Sequence, residues 1–275
     1  MATGILYLVS TPIGNLEDMT FRAVRTLREA DLIACEDTRH TSKLLQHYGI
    51  DRPTISYHEH NESERSLDLL NRLQNGETIA VVSDAGTPLI SDPGYRLVSA
   101  ATATGITVTA IPGASALLTA LAASGLPTDE FHFAGFLPPK TGQRRKELER
   151  LAELNCTVVL YEAPHRIVDA LEDIGEVYGD ARLVVTRELT KLHEEFLRGT
   201  AESILLELNA RPSIKGEMTI VVGKRLLPRE DARSIPDAVA DHMGRGLSRM
   251  DAMKAVARER GLSKRDVYSA MEENG

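Results

Sequence analysis

Residues 5–15 read Ile-Leu-Tyr-Leu-Val-Ser-Thr-Pro-Ile-Gly-Asn, and residues 78–88 read Thr-Ile-Ala-Val-Val-Ser-Asp-Ala-Gly-Thr-Pro. In both, a short aliphatic run breaks directly into small, Gly- and Pro-containing sequence. Such a run has the form of a strand buried on both faces, and the break has the form of a tight turn at its carboxyl end. The pattern recurs outward from these two stretches, with strands expected near 5–10, 31–35, 54–57, 78–82 and 106–111. Longer segments of helical period separate them. Pro93 suits a first helical turn, while Gly49, Gly76, Gly105 and Gly125 fall where helices should stop. Five successive βα units predict a parallel sheet.

After Leu126-Pro127 the rhythm changes. Strands are expected at Phe131–Gly135, Thr157–Tyr161, Arg182–Arg187, Glu194–Leu197 and Glu217–Val222, with helices over Lys140–Leu154, Pro164–Tyr178 and Glu202–Leu208. This order predicts a second, mixed α/β domain with some antiparallel pairing. Beyond Leu227-Pro228, Ser248-Arg-Met-Asp251 and Ser263-Lys-Arg-Asp266 have the capping-box form, with Gly261 between them, so the tail reads as a helix-turn-helix. The expected organisation is therefore 1–126, 127–227 and a helical tail over 228–275. There is no internal repeat or low-complexity segment.

A hydrophobic content of 42% in 275 residues is ample for packed cores. No apolar run approaches the roughly 18 residues of a membrane span, and the Ile5–Val9 stretch lacks a basic leader, so a soluble, unexported, cytoplasmic protein is expected. Cys35 and Cys156 lie in strand-like stretches without zinc-ligand spacing and read as reduced core residues. The formal charge of −8 argues against a protein that coats nucleic acid, although not against local basic patches at Lys140, Arg144, Arg145 and Lys146 and from Arg245 to Arg265. Each patch also fits a solvated helix face.

In open α/β sheets, ligands bind beyond the carboxyl ends of the strands. The five segments in that position are Ser10–Asn15, Glu36–Arg39, His58–Asn61, Ser83–Pro88 and Pro112–Ser115. Three of them combine glycine and proline, which lets backbone approach a ligand closely and suits a shared nucleoside-sized site. Neither the GxGxxG nor the GxxxxGK[ST] phosphate fingerprint follows any strand, so a dinucleotide or a nucleoside triphosphate is disfavoured. Glu36, Asp37, Arg39, His58, Glu59 and His60 are candidates for acid–base work or substrate anchoring, while Asp37, Thr38 and Asn61 fit equally as helix caps. No metal site is expected, because adjacent residues 58–60 cannot all point one way from an extended strand.

The stretches LYLVSTPIGNLEDMT, ACEDTRHTSKLL, SYHEHNE, VSDAGTPLISDPG, IPGASAL, FHFAGFLPPK, LYEAPHRI, ELTKLHEE and GEMTIVVG resemble the RsmI-type 16S ribosomal RNA 2′-O-methyltransferases, a branch of the tetrapyrrole methylase family, along the entire chain. The resemblance implies two α/β domains with S-adenosylmethionine folded between them, usually in a homodimer. It implies methylation of a cytidine ribose in the decoding region of 16S RNA, on naked RNA or the 30S subunit. Carried over residue by residue, Pro12, Gly14, Asp84, Ala85, Gly86, Thr87, Pro88, Ile90, Ser115, Ala116, Tyr161, Glu162, Met218 and Thr219 match cofactor-contacting stretches. Tetrapyrrole enzymes carry GxGxGxxxLLT and GDP loops where this chain has STPIGNLEDMT and SDAGTPL, a departure that favours the RNA branch. Glu36, Asp37 and His58 are the proton-acceptor candidates. Arg39, Lys140, Arg144, Arg145 and Arg166, with Lys264 and Arg265 in the tail, are the phosphate-contact candidates. The tail also fits a packing or dimer-bracing role. Rival readings are a tetrapyrrole or protein methyltransferase on the same fold, and a noncatalytic ribosome-assembly factor that binds the cofactor.

Overall fold

The computed structural model describes residues 3–224, 234–259 and 262–272. Its first sheet contains β1 (Ile5–Val9), β2 (Leu32–Cys35), β3 (Thr54–Ser56), β4 (Ile79–Val82) and β5 (Thr107–Ile111), in the order β3-β2-β4-β1-β5. All pairings are parallel. The helices between them are α1 (Phe21–Glu29), α2 (Thr38–His47), α3 (Glu62–Gln74) and α4 (Tyr95–Ala103). Every residue of β2 and β4 is buried because apolar clusters cover both faces of the sheet, which is why those strands are continuously apolar rather than alternating.

α5 (Ala116–Ser124) leads into a second sheet of β6 (Phe131–Phe136), β7 (Thr157–Glu162), β8 (Leu183–Arg187), β9 (Glu195–Gly199) and β10 (Met218–Val222), in the order β6-β7-β10-β8-β9. β6 and β7 are parallel, while β10 runs antiparallel to both β7 and β8, giving the mixed sheet. α6 (Thr141–Glu153), α7 (Ile167–Tyr178) and α8 (Ala201–Asn209) cover one face. The other face receives α5: Leu117, Ala120 and Leu121 pack with Ile13, Val159, Val184, Leu189 and Val221. That shared core fixes the two sheets to one another and sets the geometry of the space between their strand ends.

Gly49, Gly76, Gly105 and Gly125 all follow helix ends at positive φ. Four expectations need correction. Pro93 lies outside α4, whose N-cap is Gly94, because the Glu62 carboxylate accepts the Gly94 amide (3.0 Å) and sets the helix start one residue later. α7 begins at Ile167, leaving Pro164 in a turn. Cys35 is buried on β2, but Cys156 is only half-buried and precedes β7. The tail has a further helix before the expected pair: α9 (Ile235–Gly244), α10 (Arg249–Glu259) and α11 (Lys264–Glu272) surround a core of Ala238, Val239, Ala252, Met253, Val256, Ala257 and Val267. Both expected caps are present, with Ser248 accepting from the Asp251 amide and Ser263 from the Asp266 amide. Gly261 and Leu227-Pro228 lie outside the described residues.

Candidate functional site

The loops after β1, β4 and β5 are tied together by their own polar groups. Thr11 and Gly86 exchange backbone hydrogen bonds (2.9 and 3.0 Å), and the Thr11 hydroxyl donates to the Ser83 carbonyl (3.1 Å). Thr87 Oγ1 donates to the Ala114 carbonyl (3.2 Å), which leaves it to accept from Ser10 Oγ at 3.0 Å. Across to the second sheet, the Tyr161 hydroxyl accepts the Leu117 amide at the start of α5 (3.2 Å). These bonds hold a cleft of about 400 Å³, within the range of small-molecule sites.

The cleft is lined from the first unit by residues 84–87 and 90–92, Ile13, Ser115 and Ala116, and from the second by Phe136, residues 161–164 and residues 217–219. Eleven of the fourteen residues expected to bind a cofactor are among them: Asp84, Ala85, Gly86, Thr87, Ile90, Ser115, Ala116, Tyr161, Glu162, Met218 and Thr219. Pro12, Gly14 and Pro88 are not. Gly14 instead makes room for the β8–β9 loop, since a Cβ there would stand 2.4 Å from Lys191 Cγ. Gly86 has φ +82°, a conformation strained for any side chain.

Four acidic residues are among those lining the cleft, Asp84, Asp92, Glu162 and Glu217, although the Glu162 side chain is itself fully buried, and among the described residues no lysine or arginine lines it. Asp84 Oδ1 accepts the Asp37 amide (3.2 Å), and Glu217 is paired with Lys191 (3.1 Å). Glu162 Oε1 accepts the Ala163 amide (2.8 Å) and lies 3.2 Å from Arg166 Nε, while its buried Oε2 has no partner. Burial pushes Glu162 above the usual carboxylate range. Burial, reinforced by the Glu36 carboxylate, pushes Asp92 up to about 6. Glu36 is itself raised by burial and then by Asp84.

Glu36, Asp37 and His58 sit behind this wall and do not line the cleft. Asp37 caps α2 and is paired with Arg39, whose hydrogen bonds hold it down at about 2. The His58 amide donates to Asn61 Oδ1 (2.9 Å), and its ring nitrogen Nδ1 is buried without a partner. Asn61 therefore stabilises the turn before α3 and does not cap the helix with its side chain.

Among the expected phosphate contacts, Arg144 is a correction. It is 3% exposed, and its Nε donates to the buried Asp173 carboxylate (2.6 Å). Arg145 donates to the other oxygen of Asp173 (2.6 Å) and pairs with Glu176, so both arginines tie α6 to α7. Arg166 bonds the Leu137 carbonyl and faces Glu162. Arg39 is 88% exposed, and Lys140 and Arg265 are exposed as well. Lys264 begins α11, and its side chain lies outside the described residues.

The sequence reading passed over Ile13, Ser91, Asp92, Phe136, Ala163, Pro164 and Glu217. The SDPG continuation of the fourth loop was a readable signal for Ser91 and Asp92. Phe136 depends on a register shift between Phe133 and Gly135 that periodicity could not show. No group of three His, Cys, Asp or Glu among the described residues is arranged to hold a metal, and no described helix is long and apolar enough to cross a membrane.

Residues 5–205 match the model of the tetrapyrrole (corrin/porphyrin) methylases. The chain is 49% identical over 272 residues to ribosomal RNA small subunit methyltransferase I of Halalkalibacterium halodurans, covering 97% of this chain and 94% of that one. Among solved structures it resembles a diphthine synthase (TM-score 0.62, 15% identity, 80% of this chain and 90% of that). It also resembles the Thermus thermophilus uroporphyrin-III C-methyltransferase complexed with S-adenosyl homocysteine (TM-score 0.55, 20% identity, 81% and 99%). At those identities the likeness is one of fold.

Proposed function

Because the chain belongs to the tetrapyrrole methylase family, we propose that it is an S-adenosylmethionine-dependent methyltransferase of 16S ribosomal RNA, acting on a cytidine 2′-hydroxyl of the decoding region. The observation that carries this reading is the 49% identity, over 97% of the chain, to a ribosomal RNA small subunit methyltransferase, together with the convergence of eleven of the expected cofactor residues on one cleft. The acidic residues of that lining favour a cationic sulfonium and disfavour the many carboxylates of a porphyrin precursor. The STPIGNLEDMT and SDAGTPL loops and the ribosomal RNA methyltransferase named above favour the RNA branch in the same direction.

The residues fit S-adenosylmethionine. The Gly86 turn and the Met218-Thr219 backbone offer close main-chain approach, and the unpartnered Glu162 Oε2 awaits a donor or positive charge. When bound, the sulfonium supplies an electrophilic methyl group, whose transfer to a hydroxyl oxygen leaves the C–S electron pair on sulfur and one proton to be removed. The chain's own work is to hold the ribose against that methyl, exclude water and take the proton; such positioning is worth several kcal/mol.

Arg39, Lys140 and Arg265, together with the α9–α11 tail, are the proposed phosphate-contacting surface on RNA or the 30S subunit. The cleft is proposed to form between units 1–126 and 127–227, in a homodimer in the bacterial cytoplasm. The test is a panel of 30S subunits, naked 16S RNA, uroporphyrinogen and a diphthamide-type protein substrate with methyl-labelled cofactor, followed by mapping of ribose methylation. Label in a ribose of 16S RNA is the expected result. Label in a tetrapyrrole or protein, or cofactor and 30S binding without transfer, would replace this reading with one of its rivals.

A further inference from the structure

Resting on that reading, we propose that Asp92 accepts the proton of the ribose 2′-hydroxyl, and that Glu36 acts on it from behind as a positioning residue. Among the four acidic residues of the cleft lining, Asp84 is engaged by an amide, Glu217 by Lys191, and Glu162, whose side chain is fully buried, by an amide and the neighbouring Arg166. Asp92 differs. Among the described residues, the charged groups facing it are the carboxylates of Glu36 after β2 and Asp84 after β4, with the Ser83 hydroxyl and Tyr161 on β7 nearby. Surrounded by negative charge and half-buried, it holds a proton more strongly than an ordinary aspartate, with a midpoint near 6. It is still largely ionised at neutral pH, the combination that general-base catalysis requires.

The backbone around it shows that its place is imposed. Leu89 (φ 73°) and Ser91 (φ 66°) are both left-handed without being glycine, a conformation that persists only where the surroundings over-determine it. At the far end of the loop, Glu62 Oε1 accepts the amides of Gly94 (3.0 Å) and Arg96 (3.4 Å). On the other side, Ser91 Oγ abuts the β6 bulge, only 3.3 Å from where a Cβ on Gly135 would stand. The loop of the first unit is thus pressed against the strand that carries Phe136, a half-exposed aromatic of the same cleft. Asp92 is thus held in the lining of the cleft, on a loop braced from both sides.

In the step proposed, the ribose hydroxyl gives its proton to a carboxylate oxygen of Asp92 as its own oxygen takes the methyl group. The proton then passes to water, leaving Asp92 ionised for the next turnover.

The experiment uses the full chain. Carbon-13 NMR of aspartate-labelled protein without cofactor should show the Asp92 carboxyl titrating near 6, and Glu36→Gln should move it downward. Calorimetry should give Asp92→Asn an S-adenosylmethionine affinity within about threefold of wild type. Its single-turnover methylation of 30S subunits should fall about 100-fold or more. The acid limb of the wild-type rate profile near pH 6 should vanish in Asp92→Asn and shift downward in Glu36→Gln. An active wild type with an Asp92→Asn variant of unchanged rate and unchanged limb overturns the assignment. Loss of cofactor affinity by more than about tenfold in Asp92→Asn also overturns it, by moving Asp92 to the cofactor's side. A wild-type protein that binds cofactor but leaves ribosomal RNA unmethylated overturns the function itself and this assignment with it.

Discussion

Asp92→Asn should make the folded protein more stable at neutral pH. In the folded chain the carboxyl titrates at about 6 instead of the ordinary 3.8, because burial and the Glu36 charge oppose ionisation. The unfolded chain therefore loses this proton more readily than the folded one. Above pH 6 the ionised Asp92 works against folding, and the penalty disappears as pH falls toward 4. The difference corresponds to about 3 kcal/mol at full strength, and partial solvation with relaxation of the loop should leave about 1–2 kcal/mol. An amide of the same shape carries no charge to desolvate. Urea denaturation at pH 7.5 should accordingly place the midpoint of Asp92→Asn above wild type, and the gap should close by pH 4.5. A variant less stable than wild type at pH 7.5, or a gap independent of pH, would refute the argument, because only an ionisation suppressed by folding gives this pH dependence.

Gly86→Val should fold but lose S-adenosylmethionine affinity, since a β-branched residue is strained at φ +82° and the turn lines the cleft; calorimetry that finds wild-type affinity would remove the turn from the site. Asp173→Ala leaves Arg144 buried without its partner and should destabilise the protein by about 3–5 kcal/mol in denaturant unfolding. His58→Ala and Asp37→Ala should keep more methyl transfer than Asp92→Asn, because neither residue lines the cleft; a loss as large as that of Asp92→Asn would restore them as the proton acceptors. Removing residues 229–275 should preserve cofactor affinity and the dimer while weakening RNA binding and flattening its salt dependence, as measured by filter binding over a salt series.

The parallel sheet and its loops were legible because each strand is an apolar run that stops at a special turn, as at Val9-Ser10 and Val82-Ser83. What the sequence hid depends on contacts between distant positions. Arg144 looks like one of a basic row, and only the packing of α7 reveals Asp173 buried against it. Asp92 sits next to Pro93 in what reads as an approach to a helix. Its role emerges from Glu36, which the parallel pairing of β2 with β4 brings near. The first tail helix also carries a legible signal, since Ser234-Ile-Pro-Asp237 repeats the capping form of Ser248–Asp251 and Ser263–Asp266. Phe136 could not have been placed, because one residue of bulge decides which way the end of β6 faces.

A loop that holds two left-handed residues and a half-buried aspartate is locally costly. Leu89 and Ser91 cost about 1–3 kcal/mol each. Suppressed ionisation at Asp92 adds a similar amount at neutral pH. The opposing term is the core shared by the two sheets, where Leu117, Leu121, Val159, Val184, Leu189 and Val221 are all buried. The same packing explains why the strain is not relaxed by the sheets moving apart. α5 is wedged into the second sheet, while Ser115 and Ala116 at its start form part of the cleft wall, so opening the seam would expose the apolar core. The walls of the cleft are thus in place before any ligand arrives. A ligand entering the cleft does not first have to organise its walls, and binding energy remains available for aligning the ribose with the methyl group.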